Sequence, residues 1–298
     1  MSSNFSFYDK PGFIWLDGQF LPWKDSKLHV LTHALHYGSA VYEGCRAYNG
    51  RVFKLNEHIQ RLHKSAEFLG YKIPYSVKIL NQATKKLLFK NNLQEAYVRP
   101  IAWYDVDSLS LGAKAEQVHV AIAAWVWKSY FKLDDKFEKG LKLTWADWVR
   151  PAPNMSPYQA KAAGLYVIST LSKRSAEQKE FNDALMLDYR GYIAECTGAN
   201  VFFVKNGDLH TPIPDCFLNG ITRQTIIEIA KKMSINVIER YIKPEEVNDM
   251  DEMFLTGTAA EITPVTQIGE TKVPIGPISK KIAKAYEILV RNCPCPEK

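Results

Sequence analysis

The chain has no apolar run long enough to cross a bilayer. The longest, around VAIAAWVW, stops far short of the roughly 20 residues a membrane-spanning helix needs. The opening MSSNFSFYDKPGF has no basic start followed by an apolar core, so it does not read as a leader. Cysteine is scarce. The five present, Cys45, Cys196, Cys216, Cys293 and Cys295, form no CxxC pair, which argues against a zinc site or a disulfide framework and points to a reducing compartment. The CPC at the end reads as a tail after a helix, and no metal is expected. Basic residues form no block either: they alternate with acids, as in KRSAEQKEFND, which argues against a nucleic-acid surface. Internal repeats and low-complexity tracts are missing. These absences together predict a soluble, cytoplasmic protein with neither membrane nor nucleic acid as partner.

What is present is ample for two cores. At 298 residues with 46% hydrophobic content the chain exceeds the usual size of one domain, and its net charge of +6 suits small anionic substrates. Asp-Gly in FIWLDGQFL and Asn-Gly in VYEGCRAYNGRVFKL predict hairpins. Helical spacing follows in LNEHIQRLHKSAEFLG and SVKILNQATKKLLFKNN, then strands AYVRPIAWY and VHVAIAAWVW. This predicts an α+β domain over 1–127. The polar, aperiodic KSYFKLDDKFEKG predicts a linker at 128–138, and a second, larger domain over 139–298 carries Lys161. That domain opens with strand LKLTWADWV and helix LYVISTLSKRSAEQK. Hairpins at YRG and NGD follow, and helices TRQTIIEIAKKM and ISKKIAKAYEILVRN flank strands INVIERY and EMFLTG.

One constellation carries chemistry. SPYQAKAAGLY places a single lysine, Lys161, among alanines, and a lone lysine there is ordinarily a solvated surface residue. Thirty-four residues on, YIAECTGAN puts Glu195 at the end of an apolar strand, where an acid also serves as a turn cap. LNGITR and FLTGTAAEITPV each reach a glycine followed closely by threonine. Glycine admits close backbone approach, and free amides with a hydroxyl suit a phosphate at a helix start, although a plain helix cap has the same appearance. An amine, an acid, two phosphate-ready turns and a tyrosine together suggest a pyridoxal phosphate site.

Seven blocks then bear a family resemblance: HALHYGSAVYEGCRAY, EHIQRLHKSA, AYVRPIAW, APNMSPYQAKAAGLY, GYIAECTGANVFFV, LNGITRQTII and FLTGTAAEITPV. In this order they resemble the branched-chain aminotransferases of fold type IV, over nearly the whole chain from Trp15 to Ala285. The resemblance implies a two-domain α+β and α/β fold of the D-amino-acid aminotransferase type. It implies pyridoxal 5'-phosphate as cofactor and reversible transamination of leucine, isoleucine and valine with 2-oxoglutarate, giving branched-chain 2-oxo acids and L-glutamate. Lys161 matches the lysine that forms the Schiff base and moves the proton, for which an unprotonated amine is required. Glu195 matches the acid facing the pyridine nitrogen, and Tyr166 the hydrogen-bond partner of the ring oxygen. Arg61, Gly220, Ile221, Thr222 and Thr258 match the phosphate ligands. Tyr42, Trp127 and Tyr130 match the apolar wall, and Arg99 with Tyr37 and Tyr97 the group that meets the distal carboxylate. The backbone at Thr258 and Ala259 matches the α-carboxylate site. The resemblance also implies a homodimer or a hexamer, with Tyr37 acting across the interface.

The same fold type hosts D-amino-acid aminotransferases, amine transaminases and aminodeoxychorismate lyases, so fold alone does not fix the substrate. The blocks YEGCRAY and YVRP resemble the branched-chain group. A non-catalytic phosphate-binding module is the alternative of another class, and retention of Lys161 and Glu195 argues against it. Three positions depart from the commonest pattern: Leu165 where asparagine often precedes the tyrosine, Asn219 where proline often precedes GIT, and Cys196-Thr197 where smaller residues are usual.

Overall fold

The structure is a computed structural model that describes residues 7–127 and 139–292. Its described residues group into two compact units. The first holds 7–127 with Ala160–Gly164, the second 139–159 and 165–292. The expected linker at 128–138, together with Cys293 and Cys295, lies outside the described residues.

In the first unit, strands β1 (Phe13–Leu16), β2 (Gln19–Pro22), β3 (Val41–Tyr42), β4 (Cys45–Tyr48), β5 (Arg51–Val52), β6 (Ala96–Asp105) and β7 (Gln117–Val126) make one antiparallel sheet. Its order is β2-β1-β7-β6-β4-β5, with β3 also on β6. The two Asx-Gly signals fix its hairpins: Asp17 and Gly18, like Asn49 and Gly50, all have positive φ, the backbone that tight hairpin turns require. Helix α1 (His33–Tyr37) precedes β3, and α2 (Leu55–Phe68) and α3 (Val77–Lys90) cover the sheet. Helix α2 buries Leu55, Ile59, Leu62 and Ala66, and α3 buries Leu80, Ala83, Leu87 and Leu88, the i, i+3, i+4 stripes read from the sequence. Each such leucine contributes about 1.5–3 kcal/mol by leaving water. Ser76 caps α3 by accepting from the Ile79 amide at 3.3 Å.

The second unit contains β8 (Leu141–Trp145), α4 (Val167–Gln178), β9 (Asp183–Leu187), β10 (Ile193–Cys196), β11 (Asn200–Lys205), β12 (Asp208–Pro212), α5 (Ile221–Lys232), β13 (Val237–Arg240), β14 (Glu252–Gly257), β15 (Glu261–Ile268), β16 (Thr271–Lys272) and α6 (Pro277–Arg291). The strands order as β10-β9-β8-β15-β14-β11-β12-β13, with β16 on β15. Of three parallel pairs, β8–β15, β8–β9 and β12–β13, the last two are each joined through a helix, α4 and α5 respectively. The Ile193 amide donates to the Ile242 carbonyl just beyond β13 at 2.8 Å, so the two ends of the strand path meet. Inside lie Leu143, Leu185, Val201, Phe203, Met253, Leu255 and Val265. Strand β15 was not expected from the sequence, because Pro264 lies inside it.

The lysine segment differs from expectation in its grouping. Ala160–Gly164 belongs with the first unit, because its backbone hydrogen bonds run to residues of that unit.

Candidate active site

Lys161 sits on a short extended strap rather than on a helix. Tyr42 N–H donates to the Lys161 carbonyl at 3.0 Å, Ala163 N–H to the Ala40 carbonyl at 2.8 Å, and Gly164 N–H to the Gly38 carbonyl at 3.1 Å. Val41 and Ala162 form an antiparallel bridge between them. From α2, Ser65 Oγ accepts the Lys161 amide at 3.0 Å. The strap's close approach needs two glycines. Gly38 ends α1 at φ 66°, and a Cβ there would stand 2.7 Å from the Gly164 Cα. Backbone bonds on both sides thus fix the lysine's Cα, and its ammonium lies 4.9 Å from the centroid of the Tyr42 ring.

Arg99 approaches the same ring, its guanidinium carbon 4.6 Å from the Tyr42 centroid and 5.3 Å from that of Tyr97. Its Nη2 donates to the Tyr97 hydroxyl at 3.1 Å, while its buried Nε has no hydrogen-bond partner. Tyr97 also packs against Trp127, with centroids 5.3 Å apart. Gly44 makes room for Tyr97: a Cβ there would meet its hydroxyl at 2.1 Å. Tyr37, on α1, is exposed and donates to the Leu109 carbonyl at 3.2 Å. Tyr130 lies outside the described residues.

Arg61 projects from α2 onto Glu43, donating from Nε to Oε1 at 2.6 Å and from Nη2 to Oε2 at 2.9 Å. His58, one turn earlier on α2, bonds Oε2 through Nδ1 at 2.7 Å. Burial raises the Glu43 pKa, but Arg61 and His58 outweigh that and hold the carboxyl at about 2. Beside it, the buried Cys45 thiol feels Glu43, Arg61, Arg99 and Lys161, and burial pushes it well above the usual thiol range. Three cations and one acid therefore converge around Cys45. That balance suits an anionic ligand.

The second unit builds a different set. On β10, Glu195 is buried, and Arg150 Nη2 pairs with its Oε1 at 3.1 Å. Arg150 Nη2 also reaches Ser169 Oγ at 3.1 Å. Asn200, at the start of β11, donates from Nδ2 to Glu195 Oε2 at 3.1 Å and accepts the Gly220 amide on Oδ1 at 3.1 Å. Gly220 is the N-cap of α5, where no side chain caps the helix, and Ile221 and Thr222 are its first helical residues. A helix start with unfilled amides is a ready anion site. Opposite Asn200 in the β11–β14 register stands Thr256, whose buried Oγ1 has no hydrogen-bond partner. Thr258 and Ala259 form the turn that follows β14, half-buried and exposed respectively. Tyr166 precedes α4, and its carbonyl accepts from Thr170 Oγ1 at 2.9 Å.

In the first unit the structure brings together Lys161, Tyr42, Arg99 and Tyr97, with Trp127 against Tyr97. In the second, Glu195 and Gly220 meet through Asn200. Sequence reading missed Glu43, His58, Arg150 and Asn200, since each acts on another side chain, and Thr256, whose hydroxyl is buried without a hydrogen-bond partner. Four of them lie inside quoted blocks, Glu43, His58, Asn200 and Thr256, with Asn200 five residues after Glu195. Two departures from the common pattern have local partners: Asn219 Oδ1 accepts from Arg223 at 3.1 Å, and Thr197 Oγ1 donates to Asp183 at 2.7 Å. Half-buried Leu165 precedes Tyr166 in a 3-10 turn, and nothing in the structure explains it. Asp188, Asp215 and Cys216 are spaced as a metal would need, but Arg190 bonds both acids.

Comparison with known proteins places the chain in a family. The family described as amino-transferase class IV matches residues 40–268. A protein of Rickettsia bellii named probable branched-chain-amino-acid aminotransferase is 46% identical over 263 residues, covering 88% of this chain and 89% of that one. The branched-chain-amino-acid aminotransferase of Pseudomonas aeruginosa is 40% identical over 292 residues, covering 96% and 95%. Among solved structures, the branched-chain aminotransferase of the thermophilic archaeon Thermoproteus uzoniensis with norvaline superposes with a TM-score of 0.90 at 36% identity, covering 95% of this chain and 96% of that one. A further branched-chain amino acid aminotransferase, solved with pyridoxamine 5'-phosphate, gives 0.92 at 36% identity and covers 95% of each chain.

Proposed function

The chain belongs to the amino-transferase class IV family, and from that membership and its side-chain geometry we propose how it works as a branched-chain-amino-acid transaminase dependent on pyridoxal phosphate. Its reaction is transamination of branched-chain amino acids, as its relatives' names indicate. The observation that carries the residue assignment is the shared ring: Tyr42 has the Lys161 amine 4.9 Å from its centroid and the Arg99 guanidinium at 4.6 Å. An amine that handles the α-carbon and a cation with a buried, unpartnered Nε suit a substrate with a distal carboxylate.

The donor set fits the cofactor. The uncapped start of α5 and the buried, unpartnered Thr256 hydroxyl offer donors to a phosphate, and Glu195 offers a carboxylate to a ring nitrogen. Arg61, Gly220, Ile221, Thr222 and Thr258 would hold the phosphate. Tyr166 would donate to the ring oxygen. When bound, the cofactor supplies an aldehyde carbon to take the amino group and a ring to accept the electron pair left at the α-carbon. Lys161 would hold that carbon through its amine, the aldehyde oxygen leaving as water, and once the substrate amine had replaced it, it would carry the proton at the substrate α-carbon. Arg150 and Asn200 hold one oxygen each of Glu195, so the acid is presented at one position. Tyr42, Trp127 and Tyr130 wall the aliphatic side chain, and the backbone at Thr258 and Ala259 takes the α-carboxylate. Arg99, with Tyr97 and Tyr37, takes the second carboxylate of glutamate or 2-oxoglutarate.

The working assembly is a homodimer in the cytoplasm. An exposed apolar set supports the first point: Val30, Leu31, Leu35, Tyr37, Leu109 and Leu111. Free thiols at Cys45, Cys196 and Cys216 support the second, and no described helix is long and apolar enough to cross a membrane. A substrate panel tests the specificity. Leucine, isoleucine and valine should each transfer to 2-oxoglutarate faster than D-alanine or aromatic amino acids, and a preference for D-alanine would overturn the substrate while leaving the cofactor in place.

A further inference from the structure

We propose that Asn200 is a positioning residue that ties the carboxylate of Glu195 to the start of α5, so that the acid and the phosphate loop are set as one unit. The inference rests on the cofactor reading above. One carboxamide makes three contacts, each at 3.1 Å: Nδ2 to Glu195 Oε2, Nδ2 to the Leu218 carbonyl, and Oδ1 from the Gly220 amide. The side chain is buried. Its orientation is dictated by its neighbours. Turned over, the amide would present its NH₂ to the Gly220 N–H and its oxygen to a carboxylate, losing all three bonds.

No other side chain makes this set. Aspartate keeps the acceptor for Gly220 but brings a second carboxylate to hydrogen-bond distance of Glu195. Gly220 is part of the same device, since a Cβ there would stand 2.3 Å from Asn200 Oδ1 and push the carboxamide toward Glu195. Thus Gly220 governs an acid 25 positions earlier in the chain through one intervening side chain. Arg150 holds the other oxygen, so a shift of Asn200 rotates the carboxylate about a fixed point.

The test uses holoenzyme with two probes, pyridoxal 5'-phosphate and pyridoxal, in wild type and the variants Asn200→Ala, Asn200→Asp, Gly220→Ala and Glu195→Gln. Dissociation constants give the phosphate's contribution as a ratio. The pH titration of the bound ring's absorbance reports the acid. Asn200→Ala should lower the ratio about fivefold or more, as expected when a buried amide loses its acceptor. Its ring titration should move in the direction seen in Glu195→Gln. Asn200→Asp should keep the ratio within about twofold of wild type, the Gly220 acceptor being retained, yet move the ring titration. Gly220→Ala, altered only in the phosphate loop, should move the ring titration as well. If Asn200→Ala and Gly220→Ala leave that titration at the wild-type position, the tie is overturned.

Failure of wild type to bind either probe would instead overturn the cofactor reading. The tie is then decided on the unliganded protein, where the Asn200 side-chain NH₂ resonances must shift in both Glu195→Gln and Gly220→Ala. Unshifted resonances would overturn it.

Discussion

A guanidinium lying over two tyrosine rings cannot swing away without giving up both contacts. Arg99 is held in this way by Tyr42 and Tyr97, so its truncation should act selectively. Arg99→Ala is expected to slow the glutamate half-reaction about tenfold or more relative to wild type, the loss of one charge-assisted bond. The leucine half-reaction should change far less. Single-turnover rates for each amino acid measure this, and equal losses would assign Arg99 to structure or to the α-carboxylate. Glu43 permits a second prediction. Its carboxyl is raised by burial but lowered further by Arg61 and His58, to about 2 in the folded protein against 4.5 unfolded. A depressed folded value means the stabilisation is complete above pH 4.5 and disappears as pH falls through about 2. Its size is on the order of 3 kcal/mol. Urea midpoints of wild type and Glu43→Gln should therefore converge as pH drops from 5 toward 2.5, whereas a constant gap would contradict the ion-pair account.

Elements show why some of the fold was legible and some was not. Asp17-Gly18, Asn49-Gly50 and Asn206-Gly207 all carry positive φ at hairpin turns, because the turn chemistry is local and sits in two adjacent letters. Helices α2 and α3 were legible for a similar reason, each burying one periodic stripe. Strand β15 was hidden because Pro264 breaks the local pattern, while part of its pairing comes from β8, more than a hundred residues earlier in the chain. Lys161 was legible through family resemblance, yet its strap was not, since Gly38 and Gly164 meet across more than a hundred residues. That contact predicts that Gly38→Ala destabilises the protein by at least about 1–2 kcal/mol from the left-handed backbone alone. It should also lower activity, and Gly112→Ala, whose Cβ meets open space, is the control. Calorimetry and turnover should fall together in Gly38→Ala only. Helix α6 offers a case without catalysis. Glu252 accepts the Ile278 and Ser279 amides at 2.9 and 2.7 Å, so Glu252→Ala should cost about 1–3 kcal/mol while the substrate preference stays unchanged.

Across the whole molecule, the match to the class IV family spans residues 40–268 and the relatives cover nearly all of the chain. This is why the reaction type could be read before the fold. The proposed dimer rests on a surface property instead. Val30, Leu35 and Leu111 are 72%, 63% and 80% exposed, and such a set is expected to find cover. Sedimentation should give twice the chain mass, and Leu35→Glu with Leu111→Glu should return it to one; a wild-type monomer would contradict the assembly.

The central claim is that one amine, that of Lys161, carries the cofactor. Borohydride reduction of the cofactor-loaded protein, followed by digestion and mass spectrometry, tests it most directly. The account predicts a phosphopyridoxyl adduct on the peptide containing Lys161, and none in Lys161→Ala. An adduct on a different lysine, or no adduct in wild type, would contradict it.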